Sequence, residues 1–148
     1  MLSYQEFCNF LKESAGQPTV NGGLVIEIEG HRIEFKPENE LGLYTFDEAL
    51  NLEHDGWELL DGELWDAILE ECKCKYIKSA GVYGLLIDDK VFLPTIDGKN
   101  SGGMYWAHYR KHWEGEQEYL DFNKTEIETA SASADEKLQV RLARVETI

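Results

Sequence analysis

A chain of 148 residues, 43% of them hydrophobic and 11% aromatic, fits one domain with a core of its own and is too apolar for disorder. Its formal net charge of -15 disfavours direct contact with nucleic acid or an anionic membrane, because neutralising phosphates takes Lys and Arg. Its apolar runs are far shorter than the roughly 20 residues that span a bilayer.

The first residues, Met-Leu-Ser-Tyr-Gln-Glu-Phe-Cys, lack the basic start and unbroken apolar stretch of a secretory signal, so a cytoplasmic protein is expected. Three cysteines, two of them at Cys72 and Cys74, do not make a disulfide framework, in keeping with a reducing compartment. Ser3 with Glu6 forms a capping-box pattern, and Tyr4, Phe7, Phe10 and Leu11 recur at helical spacing up to Gly16, which predicts a short amphipathic helix. Leu24 to Glu29 and Arg32 to Lys36 alternate apolar with polar residues on either side of Gly30-His31, the signature of a hairpin with one wet face. Thr45 with Glu48 repeats the capping box ahead of a second helix ending near Gly56. Trp57 to Leu60 reads as a strand entry, and Asp61 as the N-cap of a third helix carrying Leu64, Trp65, Ile68 and Leu69, with Lys73 and Lys75 near its end.

Beyond Cys74 the pattern is β: Tyr76 to Lys78, Val82 to Ile87, Val91 to Leu93, Tyr105 to Tyr109, Glu118 to Phe122 and Leu138 to Val145. Asp88-Asp89-Lys90 between two apolar runs marks a tight hairpin. Thr95 to Gly103 is rich in Gly, Asn, Ser and Asp and reads as a loop held between that hairpin and the aromatic run Met104-Tyr105-Trp106. Residues 123 to 137, with Thr-Ala-Ser-Ala-Ser-Ala-Asp-Glu, have no core face and are expected to form a mobile loop.

The chemistry-bearing residues form no catalytic set: no nucleophile with its base, no paired carboxylates and no phosphate-cradling glycine loop stand out. His108 and His112 have the spacing of two ligands on one helical face, but their aromatic neighbours suggest a strand and no third ligand follows. Cys72 and Cys74 at a helix end read as two unrelated thiols. Asp88, Asp89 and Asp97 have the oxygen chemistry for calcium, although turn formation alone accounts for them. No metal or other cofactor is therefore assigned. From Glu40 to Glu71 the acids run without one Lys or Arg among them, which suits either a solvated face or a surface that meets a basic partner.

Five segments carry a family likeness. In order they are Leu43-Tyr-Thr-Phe-Asp-Glu-Ala-Leu, Gly56-Trp-Glu-Leu-Leu-Asp-Gly-Glu-Leu-Trp, Val91-Phe-Leu-Pro, Gly103-Met-Tyr-Trp-Ala and Gln139-Val-Arg-Leu-Ala-Arg-Val. They resemble the successive motifs of the Fibrobacter major paralogous domain, over roughly Leu43 to Val145. Leu60-Asp61 stands where that family has Pro-Thr, Ala107 where it has Ser, and the loop from Thr95 to Gly103 is shorter than usual there. The resemblance implies an α+β, C-type-lectin-like fold, with short helices beside a small twisted antiparallel sheet, termini approaching one another and irregular loops gathered on one side to bind. It also implies that Trp106 lies inside, leaving Tyr105, Tyr109 and Trp113 as candidates for the exposed side; Trp57 and Trp65 are expected in the core. Formylglycine-generating relatives act through late cysteines, and nothing after Cys74 is a cysteine, so that activity does not carry over.

The expectation is a single-domain, non-enzymatic binding module that recognises a protein or glycan through loops 95–103 and 110–117, using Tyr105, Tyr109, His112, Trp113, Asp97 and Asn100. The alternative is an acidic inhibitor or effector of phage or mobile-element type. It would occupy a basic partner surface through the 40–71 acidic segment, with Glu63, Asp66 and Glu70 as its face, by imitating nucleic-acid phosphates.

Overall fold

The computed structural model describes residues 24–108 and 116–147. Within them the chain forms three three-stranded antiparallel sheets and two short helices, an α+β architecture. The first sheet joins β1 (Leu24–Ile28), β2 (His31–Phe35) and β9 (Ala143–Thr147). The second is β3 (Cys74–Ser79), β4 (Val82–Ile87) and β5 (Val91–Pro94), and the third β6 (Gly103–Trp106), β7 (Glu116–Phe122) and β8 (Ile127–Ser133).

Turn chemistry fixes the hairpins. Glu29-Gly30, Ala80-Gly81 and Asp88-Asp89 all have positive φ at both positions, the primed turn whose twist matches its flanking strands. In β1 and β2 the inward set Leu24, Ile26, Ile28, Ile33 and Phe35 is buried while Glu27 and Arg32 are exposed, as the alternation requires.

Helix α1 (Phe46–Leu50) opens with Thr45 accepting from Glu48 N while the Glu48 carboxylate accepts from Thr45 N at 2.9 Å, the capping box read from sequence. It ends at Leu50 rather than near Gly56, because Asn51 closes it. Residues 54–58 then make isolated bridges, not a strand. Helix α2 (Gly62–Glu71) is capped by Asp61, whose Oδ1 accepts from Glu63 N at 2.9 Å. Lys73 and Lys75 lie beyond its last turn, which carries no basic residue.

The three sheets share a core. Ile33 and Phe35 from the first, Leu85 and Leu93 from the second, and Tyr105 and Phe122 from the third meet Trp65 and Ile68 of α2. A second cluster gathers Phe46, Ala49, Leu59 and Trp106 around Leu138, Val140 and Leu142. Residues 138–142 are not a strand of any sheet, although their alternation suggested one. Their backbone bonds go to Lys36, Glu40, Tyr44, Met104 and Trp106, and only β9 continues as a strand.

Residues 123–137 correct the expectation of a mobile loop. They contain β8, which pairs with β7 over its whole length and lies against α2. The predicted N-terminal helix falls outside the described residues. No helix among the described residues is long and apolar enough to cross a membrane.

Candidate functional site

The loop from Thr95 to Gly103 is tied down from within. The hydroxyl of buried Thr95 donates to Lys99 O at 2.8 Å, and Asp97 Oδ1 accepts from Lys99 N at 2.9 Å and from Ser101 Oγ at 2.6 Å. Burial acts to raise the Asp97 carboxyl, but these bonds outweigh it and hold the group below its ordinary value, so it is ionised at neutral pH. The loop is also fastened to β4: Tyr83 N donates to Gly98 O and Thr95 N to Tyr83 O, each at 2.9 Å. This places Tyr83 beside the loop.

Three side chains of the β3–β4 hairpin complete the surface. Register sets Lys78 opposite Tyr83, and Tyr76 lies two residues earlier on the same face of β3. The half-buried rings of Tyr76 and Tyr83 stack with centroids 5.8 Å apart and planes 26° apart, and the Lys78 ammonium lies 5.5 Å from the Tyr83 centroid. The Tyr76 hydroxyl donates to Asn100 Oδ1 at 2.9 Å, which orients that exposed amide. Burial, with Tyr83 and Asp97 nearby, raises the Tyr76 hydroxyl, so it stays a proton donor at neutral pH.

Asp97 and Asn100 lie in one loop, with Tyr76, Lys78 and Tyr83 beside it in place of the aromatic residues expected there. Tyr105 is fully buried, which corrects its assignment as an exposed binding residue. Its hydroxyl donates to Pro94 O at 2.7 Å and accepts from Asn39 Nδ2 at 2.8 Å and Gln139 Nε2 at 3.2 Å, while its ring stacks on Phe122. Arg141, 2% exposed, continues this network to Asn39 Oδ1, Lys36 O and Phe92 O. Trp106 is inside, as is Trp65, whereas Trp57 is only half-buried, its ring 4.2 Å from the Arg144 guanidinium. Tyr109, His112 and Trp113, and with them most of loop 110–117, lie outside the described residues. Tyr76, Lys78 and Tyr83 were missed. The two-residue turn at Ala80-Gly81 fixes their register, so counting back from it was the available signal.

A second region is acidic. A cleft of about 560 Å3 is lined by Glu29, His31, Glu58, Asp61, Glu63 and His108. His108 N donates to Leu60 O, and Gly62 N to His108 O, which brings the start of α2 against the end of the third sheet. Next to it Thr129 donates to Asp66 Oδ1 at 2.6 Å, and Glu118 packs so close to α2 that a Cβ on Gly62 would sit 2.5 Å from Glu118 Oε1. Burial, then the charges of Asp66, Asp61 and Glu63, raise the Glu118 carboxyl. Of the acidic candidates, Glu63, Asp66 and Glu70 are all exposed on α2.

A raised folded-state value means that Glu118 contributes stability in full below its unfolded value, ordinarily 4.5, and loses that contribution as pH rises through the folded one. Glu118→Gln is accordingly expected to flatten this part of the stability profile and to be more stable than the parent at pH 7. Urea midpoints from pH 4 to pH 8 test this, and parallel profiles would refute it.

The two cysteines face the core beside Asp88. Burial first, then the Asp88 hydrogen bond, push Cys72 up to about 12, and burial takes Cys74 to about 11, so neither is a ready thiolate at neutral pH. Among the described residues no three His, Cys, Asp or Glu side chains group to hold a metal ion, and Asp97 lies in a different turn from Asp88 and Asp89.

The chain was compared with protein-family models, with curated proteins and with solved structures, and none of the three comparisons gives a match.

Proposed function

We propose that this protein is a non-enzymatic binding module built on a C-type-lectin-like variant of the α+β architecture, and that it recognises a protein or glycan through the 95–103 loop. The observation that carries this reading is the loop's preorganisation. Asp97, Lys99 and Ser101 bond to one another, Tyr83 holds Gly98, and Tyr76 orients Asn100, so little ordering entropy remains to be lost on binding. The order of the five family-like motifs supports the fold half of the proposal. In amide-shift titrations of the isotope-labelled full chain against a panel of peptides and oligosaccharides, binders are expected to shift the signals of residues 95–103. Binders that leave those signals unmoved overturn the reading.

The acidic effector remains a second reading, favoured by the concave cleft that Glu29, Glu58, Asp61 and Glu63 line. In the same titration it predicts that a basic peptide moves the signals of Glu63, Asp66 and Glu70 instead, that added salt weakens the effect, and that charge reversal at those three residues removes it.

A further inference from the structure

Resting on the acidic reading above and independent of the loop, we infer that the outer edge of β8 takes an extended, Lys- or Arg-bearing segment of a partner protein as a fourth strand. Two bonds fix the direction of its backbone groups. Asn123 N donates to Glu126 O at 2.8 Å, and on the other side of β7 Ala107 N donates to Glu118 O at 3.0 Å. With the β7–β8 register, the alternation of an antiparallel ladder turns Glu128, Ala130 and Ala132 towards β7 and Ile127, Thr129 and Ser131 outward. The N–H and C=O groups of those three residues take no partner among the described residues, and no residue of β8 is buried. Other edges are closed. β3 carries Lys75 and Lys78, β5 ends in Pro94 and gives Phe92 O to Arg141, β6 bonds to Gln139, and Ala143 of β9 bridges Glu58. The remaining edge, β1, spans five residues, whereas β8 spans seven without one Lys, Arg or Pro, the kind of edge that pairs with another chain.

Charge chooses the occupant. Helix α2 starts over β7, where Gly62 crowds Glu118, and one turn later Asp66 accepts from Thr129 on β8. The exposed stripe Glu63, Asp66 and Glu70, at helical spacing, is thereby carried towards the open edge and lies along one face of an added strand. On the opposite face Glu128 stands directly across from Asp121, a like-charge pair that costs stability, and no cation pairs with either among the described residues. Burial, then Glu126, raises the Asp121 carboxyl, so positive charge is short on this face as well. A second copy of this chain would bring the same acids to the same edge, with a net charge of -15 on each partner. Lys or Arg on a foreign strand instead meets Asp66 and Glu70 on one face or Glu128 on the other.

The test titrates the isotope-labelled full chain with a synthetic peptide of about eight residues, one strand's length, that alternates Lys with Thr. Its controls are the same peptide with Glu for Lys, and the Lys peptide N-methylated throughout, which removes its backbone donors. Binding of the Lys peptide is expected to slow hydrogen exchange at Ile127, Thr129 and Ser131, while Glu128 and Ala130, already paired to β7, change little. Charge attraction alone does not produce that alternation. Both controls should bind at least about tenfold more weakly. Ser131→Pro, which removes an outward N–H and leaves the ladder to β7 intact, should weaken binding about tenfold, as should Glu70→Lys with Glu128→Lys, with amide spectra confirming the fold. Equal binding of either control overturns the inference, as does a dimer of the chain alone that protects the same amides. A Lys peptide that shifts Glu63, Asp66 and Glu70 without the alternating protection overturns strand addition and leaves the acidic reading standing; one that moves neither removes both.

Discussion

Replacing Arg141 with methionine is expected to lower the unfolding free energy by about 3–5 kcal/mol, although Met is apolar and of similar length. The guanidinium lies 2.8 Å from Asn39 Oδ1 and 3.1 Å from both Lys36 O and Phe92 O, and at 2% exposure water cannot replace it. Each acceptor left bare inside costs about 1–3 kcal/mol, and Met repays only part of this by apolar burial. These three acceptors belong to the connector after β2, to Asn39 and to β5, so one side chain of the C-terminal segment ties the first sheet to the second. Arg144 provides the comparison. Also an arginine, it is exposed, stacks on Trp57 at 4.2 Å and donates to Asp55 O at 2.9 Å. Arg144→Met should cost about 0.5–1 kcal/mol, the worth of an exposed cation–π contact. Urea unfolding measures both, and a loss below about 1 kcal/mol for Arg141→Met would remove the network from any account of this core.

That network also shows why the sequence misplaced Tyr105. Alternation along a strand is ordinarily read as core against solvent, and with Trp106 inside it puts Tyr105 out. Here β6 lies between two cores: Tyr105 faces the cluster shared by the three sheets, and Trp106 faces the one around α1. Residues 138–142 repeat the pattern, with Leu138, Val140 and Leu142 in the second cluster and Gln139 and Arg141 buried in the polar network on the other side. Polar residues at alternate positions were therefore inner-face residues, and only long-range hydrogen bonds reveal it. Local chemistry was far more legible. The capping box at Thr45, the Asp61 cap, the Asp88-Asp89 turn and the β1–β2 hairpin all depend on residues within a few positions of one another. Strand β8 escaped notice because Ala, Ser and Thr give it no apolar period. What orders it is pairing with β7 and cover from α2, including the Thr129 to Asp66 bond across 63 residues.

The candidate surface divides the same way. Asp97 and Asn100 were visible because turn residues cluster in sequence. Tyr76 and Tyr83 were not, because they are brought to the loop by strand pairing, and their pattern in β3 and β4 resembles that of any half-buried sheet. The aromatic contact area expected from the strand after the loop comes instead from the hairpin before it.

Gly84, between Tyr83 and Leu85, makes this dependence testable. Glycine weakens a strand interior, so its presence in β4 calls for a reason, and the close approach of β5 is that reason. A Cβ built there would lie 2.5 Å from Leu93 O and 2.5 Å from Phe92 Cζ. The ring could turn aside; the carbonyl oxygen is backbone in a paired strand and could move only by disturbing the β4–β5 register at Gly84 and Pro94. Gly84→Ala is therefore expected to cost about 3 kcal/mol, the upper end of ordinary overpacking. Because Tyr83 N and O hold Gly98 and Thr95, the same displacement should shift the amide signals of residues 95–103 without any ligand present. Gly81→Ala separates crowding from backbone strain: its φ of 84° is unfavourable for alanine, but nothing lies within 4 Å of the added methyl. It should cost about 1–2 kcal/mol and leave the loop signals in place. Equal losses in the two variants, or an unmoved loop in Gly84→Ala, would show that β4 and β5 can part locally and that the loop does not depend on their close packing.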